Sequence, residues 1–225
     1  MRILTWNLFH GRAVPPAGRD LQAEFAAALA GWEWDVALLQ EVPPWWAQAL
    51  ARACDADVRT ALTSRNELLA VRRALAIRHP DLVKSAGGGA NVILVRTGSA
   101  RITDHRSVRL RRWPERRVCH AVALEGGPWC ANLHAQAHSA ALAGADIARA
   151  AAATLAWAGG GPALLGGDFN VRQPAAPEFE HLGGDGVDHV LGHLVVAACP
   201  AQVLDRGRLS DHAPLAVRVS ARQDG

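Results

Sequence analysis

The sequence predicts an α/β fold in which mixed β-sheets are covered by helices. Short apolar runs with strand-like alternation recur between stretches of helical periodicity along nearly all of the 225 residues. The predicted strands in the middle of the chain follow one another directly, whereas helices separate those that flank them, and this order favours mixed sheets over a purely parallel one. Half of the residues are apolar and a fifth are charged, which is ordinary for a globular protein. We therefore expect one domain over residues 1–225, because a chain of this length can bury a core of its own.

The first half of the chain contains three predicted strands and three predicted helices. The strands cover residues 2–7, 36–40 and 90–96, and the helices cover residues 20–32, 43–53 and 66–77. Pro43 and Pro44 favour a helix start, and Pro80 prevents the third helix from continuing. The glycine run at residues 87–89 is too short to separate domains and is expected to form a turn.

The second half of the chain contains four further predicted strands and one long helix. The strands cover residues 118–124, 129–134, 163–166 and 215–219, and the Ala-rich helix covers residues 140–157. The glycine run at residues 159–161 is a strong signal for the end of that helix.

Composition and cysteine spacing narrow the class of protein. No apolar run reaches the roughly 18 to 20 residues that a membrane-spanning helix needs. A strand pattern begins at once after Met1 and leaves no room for a signal peptide, so we expect a cytoplasmic protein. The four cysteines are far apart in sequence, unlike the close pairs typical of structural zinc sites: Cys54, Cys119, Cys130 and Cys199. In a reducing compartment we expect them to be small buried residues without disulfides.

Two features are candidates for contacts with nucleic acid. The formal net charge is only +3, but seven arginines lie between Arg101 and Arg117. Such a run could bind phosphates through bidentate contacts or could equally be the solvated face of a strand and hairpin. Several tryptophans could stack on bases, namely Trp32, Trp34, Trp45 and Trp46. Packing in or beside the core is the better expectation for them, because tryptophan buries a large apolar area.

Acidic, amide and imidazole side chains occur at the ends of several predicted strands. They are Asn7, Glu41, His134, Asp168, Asn170, Asp188, Asp211 and His212. Strand ends meet at one edge of a sheet, where loops carry functional groups on a rigid scaffold. Several carboxylates at one edge would repel one another unless a cation or shared protons offset their charge. Oxygen ligands of this kind favour Mg²⁺ or Mn²⁺ over Zn²⁺.

Each of these residues also has a purely structural interpretation. Glu41 or Asp211 alone could cap a helix or a turn, Asn7 could simply end a strand, and Asp168 with Asn170 could form an Asx turn. His134 and His138 have the spacing of a zinc pair, but the predicted helix begins only after them. A purely structural explanation of the whole set is less favoured, because each residue would need its own structural role at the same time.

Six short motifs occur in an order that resembles the endonuclease/exonuclease/phosphatase superfamily, whose best-known members are deoxyribonuclease I-like nucleases. The motifs are Thr5-Trp6-Asn7, Gln40-Glu41, Asn132-Leu133-His134, Gly167-Asp168-Phe169-Asn170, Val187-Asp188-His189 and Ser210-Asp211-His212-Ala213-Pro214-Leu215. They extend from residue 5 to residue 215, and the full set in this order is highly specific although its shortest members alone are not. The resemblance implies a four-layer α/β sandwich, in which two mixed β-sheets pack face to face with helices on the outside.

The resemblance also implies a Mg²⁺ or Mn²⁺ cofactor and a metal site. Glu41 would be the main carboxylate ligand, with Asn7 beside it. Asp211 would be a further ligand.

Catalytic roles follow from the same resemblance. Asp168 would orient or deprotonate the attacking water, and Asn170 would hold a phosphate oxygen. His212 would contact the phosphate and stabilise developing charge, with Asp188 orienting its ring. His134 would be a second histidine that faces the phosphate. Together these groups would supply what phosphoryl transfer needs, namely a positioned water and neutralisation of the phosphate charge.

The sequence departs from the family pattern around His134. Deoxyribonuclease I-like members pair the histidine at this position with a glutamate, whereas residues 88–91 here contain no acid. Asn91 is therefore expected to face the phosphate, and Arg117 is expected to bind substrate as well. Abasic-site endonucleases of the superfamily carry a tyrosine in this region, and the chain contains no tyrosine, which argues against abasic-site repair.

Three functional hypotheses follow. The first is a monomeric, metal-dependent nuclease or phosphodiesterase that cleaves nucleic acid or a small phosphoester with activated water. The second is a phosphatase that acts on a small phosphorylated metabolite or lipid head group. The third is a catalytically silent member that only binds nucleic acid or protein, which the presence of Glu41, Asp168 and His212 disfavours.

Overall fold

The computed structural model describes residues 1–63, 69–78 and 89–222. Within them the strands are β1 (Arg2–Asn7), β2 (Val36–Val42), β3 (Ala56–Leu62), β4 (Ala90–Arg96), β5 (Ile102–Arg111), β6 (Arg117–Leu124), β7 (Trp129–His134), β8 (Ala163–Asp168), β9 (Glu180–Asp185), β10 (Asp188–His193), β11 (Val195–Ala197), β12 (Gln202–Val203) and β13 (Leu215–Ala221). The helices are α1 (Gln22–Gly31), α2 (Ala47–Ala53), α3 (Leu69–Arg78) and α4 (Ala140–Ala158), and a 3₁₀ turn covers Phe9–Gly11.

The strands form two mixed sheets. Sheet 1 has the order β11-β13-β1-β2-β4-β3, with β12 paired to β13, and sheet 2 has the order β5-β6-β7-β8-β10-β9. Each sheet contains one parallel pair near its centre, β1–β2 in sheet 1 and β7–β8 in sheet 2, and the other pairs are antiparallel. The predicted mixed topology is therefore confirmed.

Three hydrophobic clusters hold the layers together. The first packs α1 and α2 on the outer face of sheet 1 and includes Phe25 and Leu39. The second lies between the sheets and includes Leu38 and Leu164. The third packs α4, through residues such as Ile147, on the outer face of sheet 2. The neighbours Leu38 and Leu39 contribute to different clusters because successive strand residues point to opposite faces. The predicted four-layer sandwich is confirmed.

A buried hydrogen-bonded network joins the two sheets. It gives a structural role to three motif residues, Thr5, Gln40 and Asn132. Gln40 of β2 donates to Asn132 Oδ1 of β7 at 2.8 Å and to Thr5 Oγ1 at 3.2 Å. Asn132 Nδ2 in turn donates to the carbonyl oxygens of Leu39 and Val92, both at 2.9 Å. A polar group buried between two sheets is costly unless it is paired, so this network favours one position of the sheets relative to each other.

Two glycines of β8 permit close packing just before Asp168. A Cβ atom at Gly166 would lie 2.7 Å from Leu38 Cδ1 of the facing sheet. Gly167 has a φ of +141°, and a Cβ atom there would lie 1.9 Å from the carbonyl oxygen of Leu133. Only glycine fits at position 167, and a side chain at position 166 would have to displace Leu38, so both glycines permit the tight packing of the strand end from which Asp168 projects.

The ends of several elements differ from the prediction. The first helix begins at Gln22 and not at residue 20, because Asp20 precedes it and accepts a hydrogen bond from the Gln22 N–H at 3.0 Å. The second helix begins at Ala47, since the chain first forms a turn in which the Trp46 N–H donates to the Pro43 carbonyl oxygen at 2.8 Å. The strand β2 continues two residues beyond its predicted end, to Val42, and β8, whose beginning was predicted at residues 163–166, ends at Asp168.

Sequence periodicity missed the strands at the sheet edges. β3 lies at one edge of sheet 1, and β5 and β9 are the two edges of sheet 2. Their residues are mostly half-buried or exposed, so they lack an apolar run. The predicted helix over residues 66–77 is α3 within the described part, while its first residues and the turn at residues 87–88 lie outside the described residues.

Cysteines and tryptophans largely follow expectation. All four cysteines are free, and Cys54, Cys119 and Cys130 are buried, but Cys199 is exposed, which corrects the prediction for that residue. Trp34 and Trp46 are buried in the cluster outside sheet 1, and Trp32 and Trp45 pack against it. Across residues 1–63, 69–78 and 89–222, helix length and hydropathy reveal no candidate membrane span.

Candidate active site

The polar residues predicted from the strand ends meet at one edge of the sandwich. The strands β1, β2, β7 and β8 end at this edge, and β4, β6, β10 and β13 begin there. A direct hydrogen bond between Asn7 of sheet 1 and Asp168 of sheet 2 joins the two sides. The site is therefore assembled across both sheets, and its geometry depends on how the sheets are held together.

Asp168 is the centre of the site. Its side chain is nearly fully buried, and each oxygen accepts one hydrogen bond at 2.9 Å, Oδ2 from Asn7 Nδ2 and Oδ1 from the backbone N–H of Asn170. Its Oδ2 lies 3.6 Å from His134 Nε2 and 3.9 Å from His212 Nε2. Burial raises the pKa of Asp168, opposed by His212 and by the two donated hydrogen bonds. A carboxylate held this way can orient and deprotonate a water molecule.

Asp188 and His212 form a tight pair, with 2.6 Å between Asp188 Oδ2 and His212 Nδ1. Burial raises the pKa of Asp188 to about 6. Burial by itself would lower the pKa of His212, but the hydrogen bond and charge of Asp188, together with Asp168 and Asp211, raise it to about 9. Between these two values the pair is a carboxylate and an imidazolium. The ring nitrogen Nε2 then carries a proton that can be donated to a phosphate oxygen.

Backbone contacts fix the loop that carries His212. Ser210 Oγ donates to the carbonyl oxygen of Asn7 at 2.6 Å and accepts from the His212 N–H at 3.1 Å. Trp6 Nε1 donates to the carbonyl oxygen of His212 at 2.9 Å. The Thr-Trp-Asn motif at the end of β1 therefore positions the Ser-Asp-His motif before β13.

Glu41 lies between two imidazoles. Its Oε2 is 3.2 Å from His10 Nε2, and its Oε1 is 3.9 Å from His134 Nε2. Burial raises the pKa of Glu41, and the charge of Asp211 raises it further, whereas Arg117 and His212 lower it. A partly desolvated carboxylate with a second carboxylate nearby is a favourable environment for a bound cation.

His134 is neutral in this environment. It is almost fully buried, and burial together with the charges of Arg117, His10 and His212 lowers its pKa well below the ordinary value. A neutral imidazole can donate only from one ring nitrogen. His134 and His212 therefore differ in charge near neutral pH.

The three residues predicted to bind substrate lie at different depths. Arg117 is nearly buried at the start of β6, where Glu115 accepts from its Nη2 at 2.8 Å while its Nε has no hydrogen-bond partner among the described residues. Asn170 Nδ2 donates to the Ala135 carbonyl oxygen at 3.0 Å. Asn91 is fully buried, and its Nδ2 donates to the Val118 carbonyl oxygen of the facing sheet at 2.9 Å, whereas its Oδ1 has no hydrogen-bond partner among the described residues.

Four residues of the site have a left-handed backbone that only glycine adopts without cost. They are His10, Glu41, Asn170 and Ser210, with φ values of 54°, 50°, 52° and 62°. Such conformations are retained where the surrounding structure holds them in place, and they are concentrated at functional sites. His10 contacts Glu41, Asn170 contacts Asp168 and Ser210 contacts Asn7, so these left-handed positions lie within the candidate site.

Two groups of side chains have the chemistry to hold a divalent cation. Ligand atoms of Asp168, Asp188 and His212 lie within 4.8 Å of one another. However, the short bond between Asp188 and His212 already occupies one ring nitrogen and one carboxylate oxygen. Glu41 and Asp211 form the second group, in which both side chains are partly exposed and the charge of Asp211 acts on Glu41.

Asn7, the third predicted ligand, has its amide group engaged. Its Oδ1 accepts from the Phe9 N–H at 2.9 Å, and its Nδ2 donates to Asp168. The metal-ligand roles of Glu41, Asn7 and Asp211 stay predictions, and the observed contacts of Asn7 are those of a residue that positions Asp168.

The family model described as the Endonuclease/Exonuclease/phosphatase family matches residues 4–212. The chain belongs to this family. Its members are hydrolases that act on phosphoester bonds and generally depend on divalent metals. No curated protein sequence matches the chain.

Several solved structures share the fold at low sequence identity. An endonuclease/exonuclease/phosphatase from Beutenbergia cavernae is 17% identical with a TM-score of 0.72, covering 98% of this chain and 71% of that one. A mannosyl-6-phosphatase from Bacteroides thetaiotaomicron is 16% identical with a TM-score of 0.70, covering 98% and 99%. The human nocturnin catalytic domain with bound sulfate is 15% identical with a TM-score of 0.70, covering 98% and 93%. Identities this low establish the fold alone.

Sequence reasoning missed two residues of the site. His10 approaches Glu41 because the chain reverses through a left-handed turn at Phe9–Gly11, which no periodicity indicates. The available sequence signal for a turn was Gly11, which follows His10 directly. The structure shows why glycine is needed there, because a Cβ atom would lie 2.3 Å from the Trp46 ring. Ser210 belongs to a predicted motif, but its bond to the end of β1 depends on the fold.

Proposed function

We propose that this protein is a Mg²⁺- or Mn²⁺-dependent phosphodiesterase, with nucleic acid as its preferred class of substrate. The observation that carries the proposal is the buried Asp168 carboxylate, which two donors orient between the imidazoles of His134 and His212. Family membership supports hydrolysis of a phosphoester bond.

In the proposed mechanism, Asp168 accepts a proton from the attacking water. Asn7 and Asn170 hold the carboxylate so that its oxygens face the same water throughout the reaction. His212, charged and fixed by Asp188, donates its Nε2 proton to a phosphate oxygen where negative charge develops. His134 would supply a neutral donor on the other side of Asp168.

Arg117 would neutralise part of the phosphate charge. The carboxylates of Glu115, Glu41 and Asp168 favour its charged form although burial lowers the pKa of the guanidinium. Its unpaired Nε is a buried donor that a phosphate oxygen could satisfy.

The residues present fit a divalent cation. Glu41 and Asp211 are oxygen donors, the ligand type that Mg²⁺ and Mn²⁺ prefer. His10 would hold Glu41 Oε2 and leave Oε1 for the ion, in the manner of a hydrogen bond that orients a metal-binding carboxylate. When bound, the cation would offset phosphate charge and polarise the ester.

A phosphatase acting on a small phosphomonoester is the second candidate. The B. thetaiotaomicron mannosyl-6-phosphatase matches this chain over 98% of it and over 99% of its own length, so the same compact fold is sufficient for a protein of that name. The monomeric state and the cytoplasmic location remain part of the proposal.

A substrate panel separates these candidates. Single- and double-stranded DNA, RNA, bis-p-nitrophenyl phosphate and p-nitrophenyl phosphate are each incubated with the protein and with Mg²⁺ or Mn²⁺. A phosphodiesterase cleaves a polynucleotide and the bis ester in preference to the monoester. Preference for the monoester would favour the phosphatase, and no hydrolysis with any metal would contradict the proposed function.

A further inference from the structure

The β5–β6 hairpin, whose turn contains residues 112–116, reaches the edge of the sandwich that holds the candidate active site. β6 begins at Arg117, and the charges of Glu41 and Asp168 act on the Arg117 guanidinium. Trp113 is only four positions before Arg117 in the chain, so the two Cα atoms can be at most roughly 14 Å apart. A substrate that extends beyond the scissile phosphate on this side would meet the hairpin turn.

The base of the hairpin is held firmly against α4. Arg111 donates to Asp146 Oδ1 at 3.1 Å and to the Leu142 carbonyl oxygen at 3.2 Å. Arg149 of α4 donates to the Leu110 carbonyl oxygen at 2.6 Å. These bonds fix the end of β5, from which the turn continues, relative to α4.

Trp113 projects from this turn into solvent. The residue is 81% exposed. Among the large hydrophobic residues of the described chain, the next most exposed is Val71 at 56%. The other tryptophans of the described chain are buried or partly buried. An indole ring this exposed contributes little to packing the core, and its faces are open to a ligand.

The charge around Trp113 is positive. Arg112 and Arg116 are both exposed on the turn, and Arg109 is exposed on β5. Within residues 1–63, 69–78 and 89–222, the side chains of Arg109 and Arg112 have no ion pair or hydrogen bond, unlike those of Arg101 and Arg106, which pair with acidic residues. These guanidinium groups are therefore available to phosphates.

We propose that the turn is a stacking platform for single-stranded nucleic acid, in which a base near the scissile phosphate stacks on Trp113 and flanking phosphates contact Arg112. An aromatic ring with adjacent positive charge is the combination that binds single strands. Duplex bases are stacked on one another, so their faces are not available to the indole. The inference rests on the proposed function and specifies its substrate.

The test measures binding of a fluorescein-labelled oligothymidylate by anisotropy, with chelator present so that the strand stays intact. Trp113→Ala should weaken binding by about 5- to 150-fold, the loss expected for one base–aromatic stack. Trp113→Phe should retain most of the affinity, because the ring is preserved. Leu194→Ala, at the opposite end of β10 and 40% exposed, is the control and should bind like the wild type.

Two further readouts distinguish stacking from a loss of structure. Quenching of tryptophan fluorescence by the oligonucleotide should be largely absent in Trp113→Phe, since the exposed indole is the one that stacks. Arg112→Gln should lower the salt dependence of binding, by about 0.7 in log–log slope if one phosphate contact is lost. Hydrolysis of bis-p-nitrophenyl phosphate should be unchanged in Trp113→Ala, because this substrate is too small to span the site and the turn.

Oligonucleotide affinity that is equal in wild type and Trp113→Ala would overturn the inference, as would a wild type that does not bind single strands. If bis-p-nitrophenyl phosphate is still hydrolysed in those cases, the proposed function stands and only the platform is wrong. If the wild type hydrolyses no phosphoester with any metal, the proposed function fails independently of the binding result.

Discussion

At the scale of single residues, the site depends on side chains that hold other side chains. Asp188 fixes the ring of His212, and Asn7 and the Asn170 N–H fix Asp168. His10 contacts Glu41 in the same way. The motifs identified most of these residues from sequence, but which residue positions which could be read only from the contacts.

Asp188→Asn should leave substrate binding nearly intact and lower turnover by about two orders of magnitude or more. This is the loss in turnover that follows removal of one positioned hydrogen-bond donor to the transition state. The amide cannot favour the imidazolium, so His212 loses the charge that its raised pKa of about 9 provides. Steady-state kinetics at saturating metal measure the effect. Residues that act as a unit are non-additive, so adding His212→Ala should cost little more than His212→Ala alone. Fully multiplicative losses would show that the two residues do not act as a pair.

Glu41→Gln should abolish most of the affinity for Mn²⁺ without unfolding the protein, because the main negative ligand is lost. His10→Ala should weaken Mn²⁺ binding by about 10- to 100-fold, the usual effect of removing a group that orients a ligand. Isothermal titration calorimetry gives both affinities, with circular dichroism as the check of folding. Unchanged Mn²⁺ affinity in Glu41→Gln would contradict the metal assignment.

At the scale of elements, the central strands were predictable and the edge strands were not. β1, β4 and β7 have the predicted bounds because buried strands are continuous apolar runs. β5 carries exposed arginines and buries little besides Leu110, so its sequence shows charge and no strand period. The left-handed turn after β1, which places His10, has no sequence period at all.

The pairing of β5 with β6 buries His120, whose pKa burial lowers to about 3, with His105 adding to the effect. The unfolded chain binds this proton near pH 6.5 and the folded protein does not, so stability falls as the pH decreases from about 6.5 towards 3. Between about pH 7 and about pH 5, His120 should cost about 2 kcal/mol of stability. Urea unfolding of wild type and His120→Phe at both pH values measures it. An equal acid loss in the two proteins would contradict this assignment.

At the scale of the whole molecule, the candidate active site depends on the packing of the two sheets against each other. Asn7 and Glu41 come from sheet 1, whereas Asp168 and Asp188 come from sheet 2. The motifs predicted the residues of the site, and the family resemblance predicted the sandwich. The polar bridge between Gln40 and Asn132 could not be predicted from sequence spacing, because it joins residues 92 positions apart.

Asn132→Ala should destabilise the fold by about 2–4 kcal/mol, because it removes a donor to the buried Leu39 and Val92 carbonyl oxygens and the Asn132 acceptor of the Gln40 amide. Urea denaturation measures the change, with the exposed Gln202→Ala as the control. A loss similar to that of the control would show that the bridge contributes nothing to holding the sheets.

The most direct test of the account is the metal-dependent hydrolysis of bis-p-nitrophenyl phosphate by wild type and Asp168→Asn, each stripped of metal and then supplied with Mg²⁺ or Mn²⁺. The asparagine keeps the size of the side chain and removes the base. We predict no wild-type activity after chelation, recovery on adding the metal, and a loss of about two to four orders of magnitude in Asp168→Asn at saturating metal. Activity that survives exhaustive chelation, or an Asp168→Asn protein as active as the wild type, would contradict the account.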